Sequence, residues 1–136
     1  MNEIVSANNY TVSSGQNVTC YTSFALDGNI TVSTTGTANC GSFWGTTTKD
    51  WRLYQNKSGN IIISAGTGKK LLKVTITYNA SNGGVLKDGG VTIASAAEQD
   101  LSASEVTSVT YTVGNSGTAT NGQVKVTQIS VTYDDI

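Results

Sequence analysis

The sequence predicts an all-β fold: a single-domain antiparallel β-sandwich of jelly-roll type, built from about eight to ten strands. Apolar and polar residues alternate from end to end, and no window sustains the i, i+3, i+4 spacing of a helix. Turn signals of Gly, Asn, Asp and Ser recur about every 8 to 12 residues. Proline is absent, so those residues must make every sharp turn. At 136 residues the chain suits one domain around one core.

Residues 1–16 read as an extended N-terminal arm or an edge strand. The first convincing strand covers residues 17–26, with Val18, Cys20, Phe24 and Leu26 on one face and Thr19, Tyr21 and Ser23 on the other. Asp27 and Gly28 then supply the left-handed residues of a tight hairpin into residues 29–35. A loop of about 15 residues is expected over 36–50, and ordered loops of that length in compact domains are usually functional. Phe43 and Trp44 within it argue for order.

Strands resume at residues 51–56 and 60–65, joined through Lys57, Ser58 and Gly59. In the next, residues 71–78, Leu72, Val74, Ile76 and Tyr78 take the core side and Lys73, Thr75 and Thr77 the wet side. Ser81-Asn82-Gly83-Gly84 turns the chain into short strands at 85–86 and 91–94, linked by Lys87-Asp88-Gly89-Gly90. Residues 96–101 are expected to be loop. A long hairpin closes the chain, residues 106–113 followed by 122–133. Because Val124 and Val126 have opposite parity to Ile129, Val131 and Tyr133, one residue must be absorbed, and a β-bulge is predicted at Thr127 or Gln128. Residues 73–78 and 128–133 echo one another as a shared β-pattern, not as a repeat, since repeat architectures need several copies.

Composition narrows the function. Net charge is −1 and the eight Lys and Arg residues are scattered along the chain, so no footprint for a nucleic-acid backbone is expected. Charged residues make up only 12%, which leaves Thr, Ser and Asn to cover a surface of the kind common outside the cytoplasm. No stretch approaches the roughly 20 apolar residues of a membrane span, so no membrane insertion is expected. The first residues carry neither a basic segment nor an apolar core, so no secretory signal is read there. An extracellular or surface-displayed location, including a virion, is the expectation.

Histidine is absent, which removes the commonest general base and excludes Ser-His and Cys-His nucleophile systems. Nine carboxylates remain, and most fall in turns or at the terminus, where solvated turn chemistry accounts for them better than a paired glycosidase site. No catalytic residue and no cofactor is expected. Structural calcium at Asp27-Gly28-Asn29, Asp88 or Asp134-Asp135 has no ligand spacing to support it. Cys20 and Cys40 are either a disulfide closing a loop of about 20 residues, worth roughly 3 kcal/mol, or two small buried thiols.

Candidate contact residues come from residues 43–54, which hold both tryptophans. A sugar ring offers an apolar face to an aromatic platform and hydroxyls to nearby polar groups. Phe43 and Trp44 are the platform candidates, with Asn39, Asp50, Arg52 and Gln55 as polar partners. Alternation places Trp51 and Leu53 inward and Arg52 and Tyr54 outward. Adjacent in an extended segment, Phe43 and Trp44 must diverge, which leaves one of them exposed.

Asp50-Trp51-Arg52-Leu53-Tyr54, Gly59-Asn60-Ile61-Ile62-Ile63-Ser64-Ala65 and Lys70-Leu71-Leu72-Lys73-Val74-Thr75-Ile76-Thr77-Tyr78 resemble a β-sandwich module of surface and secreted proteins of gut-type bacteria, as do the last strand residues, 122–133. The resemblance covers about residues 24–133. It implies a galactose-binding-like or carbohydrate-binding-module-like jelly roll, an accessory part without catalysis, and transfers no ligand residue. The expectation is therefore a non-catalytic surface module that binds glycan. The alternative is a structural decoration or display subunit of a virion or extracellular filament, whose partners are copies of itself or a capsid or filament protein.

Overall fold

Burial alternates residue by residue along the strands, which sorts the side chains into a shared core and two outer faces. The computed structural model describes residues 2–6, 22–26, 28–44 and 50–136. Among them are twelve strands: β1 Asn2–Ser6, β2 Ser23–Ala25, β3 Ile30–Ser33, β4 Ser42–Trp44, β5 Asp50–Tyr54, β6 Asn60–Ala65, β7 Lys69–Ser81, β8 Gly84–Asp88, β9 Val91–Ile93, β10 Glu98–Asp100, β11 Ser108–Asn115 and β12 Gln123–Asp135. Among the described residues a 3-10 turn, Gln55–Lys57, follows β5.

All pairings are antiparallel, and they build a two-sheet β-sandwich. Sheet A runs β10-β7-β12-β5-β4, with β1 also on β12; sheet B runs β2-β3-β6-β11-β8-β9. The thirteen-residue β12 is shared along its length, since β5 pairs with its residues 123–126 and β1 with 128–132. From β5 to β12 the chain passes from one sheet to the other at every connection except β8 to β9.

The core fills the gap between sheets. Trp51, Leu53, Leu71, Val74, Val124, Ile129, Val131 and Tyr133 point in from sheet A, and Ile30, Val32, Ile61, Ile63, Leu86 and Tyr111 from sheet B, none more than 1% exposed. Burying one such side chain is worth about 1.5–3 kcal/mol over leaving it in water. Phe24 of sheet B crosses to sheet A, meeting the Trp51 ring edge-on at 5.2 Å and Phe43 at 5.9 Å.

The predicted bulge is present. Val126 pairs with Tyr78 and Gln128 with Thr77, so Thr127 is the extra residue, and its Oγ1 donates to Thr77 O at 3.2 Å. Both halves of β12 thereby keep their apolar side chains inside. The echo between residues 73–78 and 128–133 has a spatial counterpart: Val74 faces Val131 and Ile76 faces Ile129 across one ladder.

Four expectations need correction. Residues 106–113 and 122–133 do not form a hairpin: β11 pairs with β6 and β8 in sheet B, while β12 lies in sheet A. In β7 the core residue is Leu71, not Leu72, because a second register shift leaves Leu72 unpaired between Lys73 and Leu71. The expected loop at 96–101 contains β10, an edge strand on Lys73–Thr75 of β7 with a Lys73 to Glu98 ion pair at 3.4 Å. The expected loop at 36–50 contains β4, paired with β5. The Asp27 turn residue lies outside the described residues, but β2 and β3 do pair as neighbours.

Candidate functional site

Cross-strand register assembles the candidate residues. Trp44 faces Asp50, Phe43 faces Trp51, and Ser42 faces Arg52. On β5, Trp51 and Leu53 are buried while Asp50, Arg52 and Tyr54 point outward, as alternation requires. The Trp51 indole Nε1 donates to Gly41 O at 2.9 Å, which fixes the start of β4 against β5. Phe43 is 1% exposed and belongs to the core, so it offers no face to a ligand. Trp44, its neighbour on the opposite side of the strand, is only partly buried.

On the outer face the side chains interlock. The Arg52 Nε donates to Asp50 Oδ1 at 2.6 Å, and the guanidinium carbon lies 4.9 Å from the Trp44 ring centre. The Trp44 Nε1 is buried without a hydrogen-bond partner. Farther along β5, burial pushes the Tyr54 phenol above its ordinary pKa, and the nearby Arg52 charge partly offsets that shift. Asp50, Arg52 and Tyr54 thus form one row of about 13 Å along the strand.

A pocket of about 300 Å³ opens at the Tyr54 end, lined by Ala38, Asn39, Tyr54, Asn56, Lys57 and Gln123. That volume is at the small end for ligand sites. Gln123 reaches it because it is the register partner of Tyr54, and the next outward residue of β12, Lys125, is the partner of Arg52. Cys40 packs beneath the rim: its Sγ accepts the Tyr54 N–H at 3.4 Å. Cys20 lies outside the described residues, and the disulfide expectation with it.

Of the sequence candidates, Trp44, Asp50 and Arg52 are brought together and Asn39 joins the pocket. Gln55 has a different job. Its Oε1 accepts Gly122 N at 2.9 Å and Asn115 Nδ2 at 3.2 Å, and its Nε2 donates to Ala119 O at 3.3 Å. These bonds pin the β11 to β12 crossover. Sequence reasoning missed Asn56, Lys57, Gln123 and Lys125 as site residues. Alternation places Tyr54 outward without giving it a contact; for Gln123 and Lys125 no local signal exists, because only the β5 to β12 register puts them there.

Among the described residues no three of His, Cys, Asp and Glu converge on a point that could hold a metal ion. Asp135 is engaged by Lys69, and Asn29 Nδ2 donates to the Tyr133 hydroxyl at 3.1 Å. No described helix is long and apolar enough to cross a membrane. No protein-family model, curated protein or solved structure matches the chain.

Proposed function

We propose that the protein is a non-catalytic glycan-binding module of a surface or extracellular assembly, and that it binds through the outer face of β4, β5 and β12. One observation carries this reading: Trp44 and Tyr54 flank the Asp50–Arg52 pair on a single sheet face that runs into the pocket. Aromatic rings at both ends, with a guanidinium and the amides of Asn39, Asn56 and Gln123 between and beside them, suit C–H faces and hydroxyls together. The described pocket lining contains no carboxylate, which favours binding over glycoside hydrolysis. We read the order β10-β7-β12-β5 over β6-β11-β8-β9 as jelly-roll winding, in keeping with the surface-module resemblance.

A glycan array followed by affinity electrophoresis tests the proposal. Trp44→Ala and Tyr54→Ala are each expected to lower affinity at least about tenfold, the equivalent of 1.4 kcal/mol. Retention of full binding by both variants would falsify the site.

A second reading has its own observation. The outer face of sheet B carries Thr31, Ser33, Ser64, Ser108, Thr110 and Thr112, with few charges among them. Hydroxyls both donate and accept, so such a face can meet a copy of itself, as a decoration subunit requires. Light scattering on the purified chain separates the two: a defined ring or fibre favours assembly, a monomer the binding module.

A further inference from the structure

The eight Lys and Arg residues are dispersed in sequence, yet three of them converge on the candidate face. Lys57 lines the pocket, Arg52 lies in the adjoining row of β5, and Lys125 is the register partner of Arg52. The carboxylate in the same rows is Asp50, and Arg52 already engages it. Among the described residues, the ion pairs join Arg52 to Asp50, Lys69 to Asp135 and Lys73 to Glu98, so neither Lys57 nor Lys125 has an acidic partner. The other described acids lie elsewhere: Glu3 is on β1, opposite Val131, Asp88 ends β8, Glu98 and Asp100 belong to β10, Glu105 precedes β11, and Asp134 and Asp135 lie at the far end of β12 from Lys125. A chain of net charge −1 thus keeps a locally cationic face around its pocket.

Resting on the glycan-binding reading, we infer that the preferred ligand is an acidic glycan, one whose sugar units carry a carboxylate or a sulfate ester. The pocket admits one small unit, and Lys57 at its wall supplies an ammonium for the anionic group. Asn39, Asn56 and Gln123 supply amide donors and acceptors for the remaining hydroxyls. Lys125 stands one row away, where the next acidic unit along the chain would lie. Arg52, oriented by Asp50 and stacked on Trp44, presents a fixed positive edge beside Lys125, its register partner. A neutral glycan would leave both ammonium groups uncompensated, so selectivity for charge follows from the same geometry.

Titration calorimetry of the full chain tests this with three probes: oligogalacturonate, its carboxyl-reduced neutral form, and a heparin oligosaccharide. The expected result is that oligogalacturonate or heparin binds at least tenfold tighter than the neutral form. That preference should weaken as salt rises and disappear in Lys57→Gln/Lys125→Gln. Lys57 is exposed and Lys125 is a half-buried residue of the outer face without an acidic partner, so the double variant should keep its melting temperature, which is measured alongside. The first and third probes tell carboxylate from sulfate recognition. Equal binding of neutral and acidic probes, lost in Trp44→Ala, overturns the charge preference and leaves the glycan reading intact. Absence of binding to all three probes and to every glycan of the array overturns both. An acidic preference that the double variant retains overturns the assignment to these lysines.

Discussion

The guanidinium of Arg52 lies 4.9 Å from the centre of the Trp44 ring. Asp50 holds it there, since the Arg52 Nε donates to Asp50 Oδ1 and Trp44 is the register partner of Asp50. Three residues from two strands therefore form one unit on the outer face of sheet A. A partly exposed stack of this kind contributes about 0.5–1 kcal/mol, so its role is positioning more than stability.

Arg52→Met should uncover the Trp44 ring while leaving the fold intact. Acrylamide quenching should rise, and subtraction of the Trp44→Phe background should assign the increase to Trp44. Trp51, at 1% exposure, should stay blue-shifted and unquenched in every variant. The melting free energy should change by no more than about 1 kcal/mol.

Two buried tyrosines should respond in opposite ways to loss of the hydroxyl. Tyr78 OH donates to Ile93 O and accepts Leu86 N at 3.3 Å, tying the β8 to β9 hairpin to sheet A. Tyr78→Phe strands both partners and should cost about 1–3 kcal/mol. The Tyr111 hydroxyl is buried with no partner, so Tyr111→Phe should be neutral or stabilising. Denaturant unfolding of the two variants checks the contrast.

Burial, with a smaller contribution from Asp88, pushes the Tyr111 pKa from 10.0 up to about 12. In the unfolded chain the phenol ionises near its ordinary value, so between about pH 10 and 12 the folded state binds more protons than the unfolded one. Stability is then fully present below pH 10 and falls as pH rises, by roughly 2–3 kcal/mol from this group. Tyr54, also raised by burial, acts in the same direction. Urea midpoints measured from pH 9 to 12 should fall steeply in the parent chain and less steeply in Tyr111→Phe.

Thr127 is structurally required as a counted residue more than as a side chain. Deleting it turns Val124 and Val126 outward or Ile129, Val131 and Tyr133 outward, and the chain should fail to fold cooperatively. Thr127→Val keeps the count and loses the bond to Thr77 O, for a cost of about 1 kcal/mol. Circular dichroism and thermal melts separate these outcomes.

Gly84 and Gly122 meet where two crossovers pass each other. A Cβ on Gly122 would lie 2.8 Å from the Gly84 Cα and from Gly114 O, and a Cβ on Gly84 would overlap Gln123 O. Those neighbours are backbone and cannot step aside. Either alanine variant should lose about 1–3 kcal/mol in thermal or denaturant melts, in the range of core overpacking.

Much of the architecture is legible in the residues because burial on one side of a strand imposes a period of two. The same logic exposed the Thr127 bulge, where the parity of Val126 and Ile129 disagrees. It also separated Phe43 from Trp44, since adjacent residues of a strand cannot face the same side. Partner choice was not legible. Residues 106–113 and 122–133 have the alternation that a hairpin would show, and only packing sends β11 to one sheet and β12 to the other. Leu71 and Leu72 are both apolar, so the second bulge left no parity conflict to detect.

Alternation, a local property, is enough in this chain to predict an all-β fold with a shared core and an outward pair, Arg52 and Tyr54; the structure extends that row to Asp50, which the sequence leaves in the preceding loop. The tertiary structure decided what stands beside that row. Register, which depends on pairing between strands distant in the chain, set Trp44 against Asp50 and brought Gln123 to Tyr54 and Lys125 to Arg52. The same packing withdrew Phe43 into the core and committed Gln55 to the β11 to β12 crossover, since both are held by contacts from elements far away in sequence.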